Sequence, residues 1–123
     1  MLMIKLTFAL VRRADFTRER FQAYWFDYHA PLVASVREAL RIRRYVQVHS
    51  LPDAVSADLR RSRGGPESFD GVAQLWWDNL EDMATTATDP AAIAAGRVLL
   101  EDERKFIDLA RSPLWWGEEK AIF

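Results

Sequence analysis

The chain has 123 residues, of which 50% are hydrophobic, enough to build one compact domain over residues 1–123 with its own core. A formal net charge of −1 and a pI near 6.1 exclude a nucleic-acid or anionic-membrane surface, because either partner demands a clear excess of Lys and Arg. With no cysteine there is no disulfide framework, thiolate nucleophile or cysteine-based metal centre, and the expected location is cytoplasmic.

Met1-Leu2-Met3-Ile4-Lys5-Leu6 has no basic segment ahead of its apolar run and no small-residue cleavage site behind it, and Arg12 and Arg13 soon interrupt it. It reads as a strand, not a signal or membrane span. Ile4, Leu6, Phe8 and Leu10 alternate with Lys5, Thr7, Ala9 and Val11, and both sets are mostly uncharged, so both faces are expected to be at least partly covered. Asp15-Phe16-Thr17 supplies a turn and an N-cap, with Glu19 in the first turn of a helix that runs to about Tyr28. Pro31 disfavours helical geometry at Ala30, which predicts a break or kink after His29 and a second short helix from Pro31 to about Leu40.

Arg43 to His49 is the second strand, with Tyr45, Gln47 and His49 on one face and Val46 and Val48 on the other. Leu51 to Ser68, rich in Pro, Gly, Ser and Arg, reads as a long loop that is mobile and borders a pocket mouth; Arg60, Arg61 and Arg63 belong to its solvated surface. Asp70 to Trp77 is the third strand, with Val72, Gln74 and Trp76 opposite Ala73, Leu75 and Trp77. Asp78 or Asn79 caps a helix to about Thr88, Asp89-Pro90 opens another that reaches roughly Phe106, and Leu114 to Phe123 is the last strand.

The order βαββαβ is the ferredoxin-like, α+β arrangement, a four-stranded antiparallel sheet with helices on one face. The opposite face of an isolated sheet should be polar. Here four of the five tryptophans form the adjacent pairs Trp76-Trp77 and Trp115-Trp116, and each pair sends one indole to each face. A second apolar face calls for a partner surface, and two copies packed sheet to sheet provide one.

Between Phe21 and Leu32 the spacing sets Phe21, Trp25 and His29 at i, i+4 and i+8, flanked by Tyr24, Tyr28 and Leu32. One of only two histidines thus falls on an apolar helical face, as a pocket lining would have it. These residues also carry a resemblance. Ile4-Lys5-Leu6-Thr7-Phe8, Phe21-x-x-Tyr24-Trp25-x-x-x-His29-Ala30-Pro31-Leu32-Val33, Tyr45-Val46-Gln47-x-His49, Phe69-Asp70-Gly71-Val72-Ala73-Gln74-Leu75-Trp76 and Glu101-Asp102-Glu103-x-x-Phe106-Ile107-Asp108 resemble the EthD family, named for a small protein of an ethyl tert-butyl ether degradation cluster. The resemblance implies a dimeric α+β barrel, and relatives that act on small aromatic or polyketide-like compounds as dehydratases, decarboxylases or cyclases.

Each candidate residue has a structural role to weigh against a chemical one. His29 is either a general acid/base, tuned by Phe21, Trp25 and a carboxylate such as Asp27, or a helix-end residue bonding the last carbonyls. His49 shares a polar row with Tyr45 and Gln47 and lines the pocket or ends a strand in solvent. Tyr24 offers a hydrogen bond to a substrate carbonyl or is core with its hydroxyl satisfied. Phe21, Trp25, Tyr28, Tyr45 and Trp76 are candidate walls for an aromatic ligand. No local histidine spacing builds a metal site, and no sequence signal accompanies a haem ligand or any other cofactor. The residues favour a cofactor-free proton transfer next to a carbonyl, giving isomerisation, dehydration or decarboxylation in a homodimer; cofactor-independent oxygenation and a non-catalytic accessory protein are the alternatives.

Overall fold

The computed structural model describes residues 3–123, so Met1 and Leu2, which open the first expected strand, lie outside them. Four strands, β1 (Ile4–Leu10), β2 (Arg44–His49), β3 (Gly71–Trp77) and β4 (Leu114–Glu118), form one antiparallel sheet in the order β2-β3-β1-β4. That is the ferredoxin-like order, with β1 and β3 in the centre. The pairing Ile4↔Trp77, Leu6↔Leu75 and Phe8↔Ala73, continued by Leu6↔Trp116 and Tyr45↔Leu75, fixes which residues share a face. Ile4, Phe8, Leu10, Leu75 and Trp77 face the helices and join Phe21, Trp25, Val33, Leu99 and Phe106 in the core. β4 ends at Glu118, shorter than the alternation suggests.

The outer face carries Lys5, Thr7, Val72, Gln74, Trp76 and Trp115. Trp76 is nevertheless only 4% exposed. Lys5 and Arg44 lie 4.9 Å and 4.7 Å from its ring centroid, and its indole N–H donates to Glu119 at 3.2 Å. The chain therefore covers Trp76 with its own cations, while Trp115 and Val48 stay about half exposed.

Thr17 caps α1 (Arg18–Tyr24), accepting the N–H of Arg20. The helix does not break after His29. A π-helical turn over Trp25–His29 leads into α2 (Ala30–Ser35), with Ala30 donating to the carbonyl of Trp25 and both His29 and Ala30 helical. The wider ladder takes the carbonyls out of the α register that Pro31 cannot serve, so the proline is absorbed and not expelled. It also leaves Trp25 and His29 buried on one side. A short helix α3 (Arg37–Leu40) then leads to β2.

Residues 51–68 are not a loop throughout: α4 (Asp53–Arg63) occupies the middle, starting after Pro52 and stopping at Gly64, whose φ of 60° is the left-handed end that glycine permits. Arg60, Arg61 and Arg63 form its last turn. None of its side chains is buried, and the fold holds it mainly at its start, where Arg18 donates to Asp53 (2.9 Å) and to the carbonyl of Leu51 (3.3 Å). Its amides are expected to exchange with deuterium at rates nearer those of a frayed helix than those of β1 and β3. Protection in α4 equal to that of the strands would contradict this.

Asn79 caps α5 (Leu80–Thr88), accepting from Asp82, and Asp89-Pro90 opens α6 (Pro90–Glu103). On α6 the buried positions are Ala92, Ala95, Leu99 and Asp102. Three apolar positions and one carboxylate share the face that meets the core.

Candidate active site

Asp102 lies on the buried stripe of α6, opposite the π turn. Its carboxylate is only about a tenth exposed and takes up partners on both oxygens. His29 Nδ1 is 2.8 Å from Oδ2, the Tyr24 hydroxyl donates to Oδ1 at 2.6 Å, and Lys105 stands 3.7 Å away at the surface. Burial alone would push the Asp102 carboxyl up, but the hydrogen bonds from Tyr24 and His29 hold it below the usual carboxylate range. An ionised carboxylate only accepts, so Nδ1 carries the ring proton. Nε2 is then a lone pair, and among the described residues it has no hydrogen-bond partner.

His29 is 5% exposed, and burial pushes it below the ordinary histidine range, against the pull of Asp102. The neutral, basic form thus prevails near neutral pH. His29 lines a cavity of about 170 Å³ between the first helix and the sheet. Trp25, Leu75, Trp77 and Leu99 make up much of the wall, and the half-exposed Leu114 and Trp116 of β4 mark its mouth. Polar groups in the wall are few: Tyr45, Thr86 and Glu103 accompany His29. The Tyr45 hydroxyl accepts from Gln47 at 2.7 Å, which leaves its own proton to give, and burial pushes it up to about 12, so it stays protonated.

The wall holds His29, Trp25 and Tyr45 of the residues singled out in the sequence. Tyr24 acts on Asp102 instead of on the cavity, its hydroxyl pushed up to about 12 by burial and by that carboxylate. His49 lies on the far side of Trp25, stacked at 4.5 Å on its indole and bonded to Gln47, because residues on one strand face still differ in which part of the helix they meet. Phe21 is wholly enclosed in the core, Tyr28 is exposed and stacked on Tyr24, and Trp76 is on the other face of the sheet. Nor does any residue of 51–68 line the cavity. The carboxylate beside His29 is Asp102 and not Asp27, because two residues along a helix point to different sides. Asp102 and Glu103 lie in the Glu101-Asp102-Glu103 stretch of the family resemblance without being candidate site residues there; for Asp102 a helical signal exists, since Ala95, Leu99, Asp102 and Phe106 recur at spacings of four, three and four, and Glu103 has none.

Gly71, at the start of β3, fixes the position of the indole wall. A Cβ there would run into the Trp25 ring and come within 2.8 Å of the Val48 carbonyl.

The four-stranded antiparallel sheet in the order β2-β3-β1-β4, with its helices packed on one face, places the chain in the ferredoxin-like α+β class. The EthD domain profile matches residues 13–110, and the chain belongs to that family. A conidial pigment biosynthesis dehydratase EthD from Metarhizium robertsii is 26% identical over 117 residues, 91% of this chain and 79% of that protein. Among solved structures, an EthD family protein from Bacillus halodurans is similar at TM-score 0.61 and 18% identity, covering 98% of this chain and 100% of its own. A dimeric ferredoxin-like protein of unknown function from Thermobifida fusca reaches TM-score 0.58 at 11% identity, covering 96% and 92%. Among the described residues no helix is long and apolar enough to cross a membrane.

Proposed function

We propose that this protein is a homodimeric, cofactor-free proton-transfer enzyme that takes a small aromatic or polyketide-like carbonyl compound into the cavity and uses His29 as acid/base. One observation carries the reading: the Asp102 carboxylate holds the Nδ1 proton of His29, leaving Nε2 as the basic nitrogen, and His29 lines a mostly apolar cavity. A fixed tautomer next to a mostly apolar wall suits removal of a proton beside a carbonyl, and the Tyr45 hydroxyl is a donor for the developing enolate oxygen. A cavity of this size is comparable with those that admit one benzene-sized ring, with the rest of a bicyclic ligand reaching toward Trp116. The dehydratase named among its relatives supports an elimination.

The test uses α-tetralone in deuterated water, with α-proton exchange followed by NMR and binding by tryptophan fluorescence. His29→Gln is expected to keep the fold and lose on the order of 10²-fold in exchange. A variant roughly 1 kcal/mol less stable but fully active would remove His29 from the mechanism and bring His49 forward. Tight binding without exchange by the wild type would favour the accessory, non-catalytic reading.

The homodimer rests on the exposed Trp115 and Val48 of the outer sheet face and on the dimeric fold relative. Light scattering is expected to return twice the 14.2 kDa chain mass at micromolar concentration. A stable monomer would refute it.

A further inference from the structure

We propose that Glu103 is the general acid of the site, delivering a proton to a leaving hydroxyl, so that the reaction is loss of water from a β-hydroxy ketone. This rests on the reading of His29 as the base. Asp102 and Glu103 are neighbours on α6 with opposite circumstances. The Asp102 carboxylate is engaged by His29 and Tyr24, whereas the Glu103 carboxyl lines the cavity and, among the described residues, has no hydrogen-bond partner. Lining the same cavity are the base His29 on the π turn and the hydroxyl of Tyr45 on β2. Burial, reinforced by the charge of Asp102, pushes the Glu103 carboxyl up to about 7, so near neutral pH a large share of Glu103 holds a proton while Asp102 is ionised. Two carboxyl groups whose surroundings drive them apart divide into an ionised orienter and a neutral donor.

The step balances without an oxidant or a metal. His29 Nε2 takes the proton from the carbon beside the carbonyl, and the C–H electron pair forms an enolate whose oxygen the Tyr45 hydroxyl holds. The enolate collapses to a carbon–carbon double bond and expels the β-hydroxyl, which takes the Glu103 proton and leaves as water. Protonated His29 then releases its proton and Glu103 regains one, directly or through solvent.

Two probes separate this from the reading beneath it: α-tetralone, whose α-proton exchange needs only the base, and its β-hydroxy derivative, which yields fluorescent α-naphthol on losing water. The wild type is expected to act on both. Glu103→Gln should lose on the order of 10²-fold in water loss but less than tenfold in exchange, and Glu103→Asp should recover part of the deficit. Thermal melts check that both variants fold. Exchange without water loss in the wild type, or a Glu103→Gln variant that loses both rates alike or neither, overturns the acid role alone. No exchange in the wild type overturns the base, and the acid falls with it.

Discussion

Asp102→Asn lowers α-proton exchange by on the order of 10²-fold or more while leaving the fold in place. Asparagine has nearly the same shape and still accepts the Tyr24 hydroxyl through its carbonyl oxygen. Its amide nitrogen, however, donates. Turned toward His29, it places a donor against Nδ1, and the ring proton moves to Nε2, where the cavity needs a lone pair. Two hydrogen bonds to a charged acceptor become weaker neutral ones, which costs about 1–3 kcal/mol of stability. Kinetics together with nitrogen NMR of the imidazole distinguish the effects: the expected result is a folded protein with the other tautomer. A folded Asp102→Asn protein with wild-type exchange would show that the carboxylate does not set the base.

Glu103→Gln makes the folded state more stable above neutral pH and changes little in acid. The sign follows from the direction of the shift. The carboxyl titrates near 4.5 when unfolded and about 7 when folded. Between those values the native state keeps a proton that the unfolded chain has released, so stability falls as pH rises through that window and stays lower beyond it. The whole interval is worth at most about 3 kcal/mol. Glutamine does not titrate and escapes the loss. His29 works the other way, since its depressed value gives a contribution present above about 6.5 and lost as pH falls through its folded value. Urea titrations at about pH 4 and about pH 8 should show the variant ahead of the wild type only at the higher pH. Superimposable curves at both would mean that Glu103 titrates as an ordinary surface carboxyl.

The elements that were legible share a cause. β1 and β3 are runs of apolar residues in which every second one joins the helix-side core, Ile4, Phe8 and Leu10 in one and Ala73, Leu75 and Trp77 in the other, and the caps Thr17 and Asn79 are local hydrogen bonds that short sequence windows contain. α4 was legible only in its punctuation, Pro52-Asp53 before it and Gly64 after it. Its apolar residues Val55 and Leu59 face solvent, so no buried stripe announced the helix. The proline after His29 misled for a related reason: its local preference is for a break, but a helix already held by Phe21, Trp25 and Val33 in the core widens to a π turn instead.

The amino-acid sequence by itself determined the class of fold, the helical face that carries Trp25 and His29, and the sending of one tryptophan of each pair to each side of the sheet, because these follow from periodicities of two and 3.6 residues. Tertiary structure alone decided which carboxylate meets His29, that Tyr24 serves that carboxylate and not the cavity, that Trp25 stands between His49 and the site, and that Glu103 lies in the cavity wall with no hydrogen-bond partner among the described residues. The two Asp102 contacts join α6 to residues of the first helical segment more than seventy positions earlier in the chain, and the Trp25–His49 stack joins that segment to β2; burial of a common core brings them together, and no local pattern encodes a distance between two elements that only packing sets.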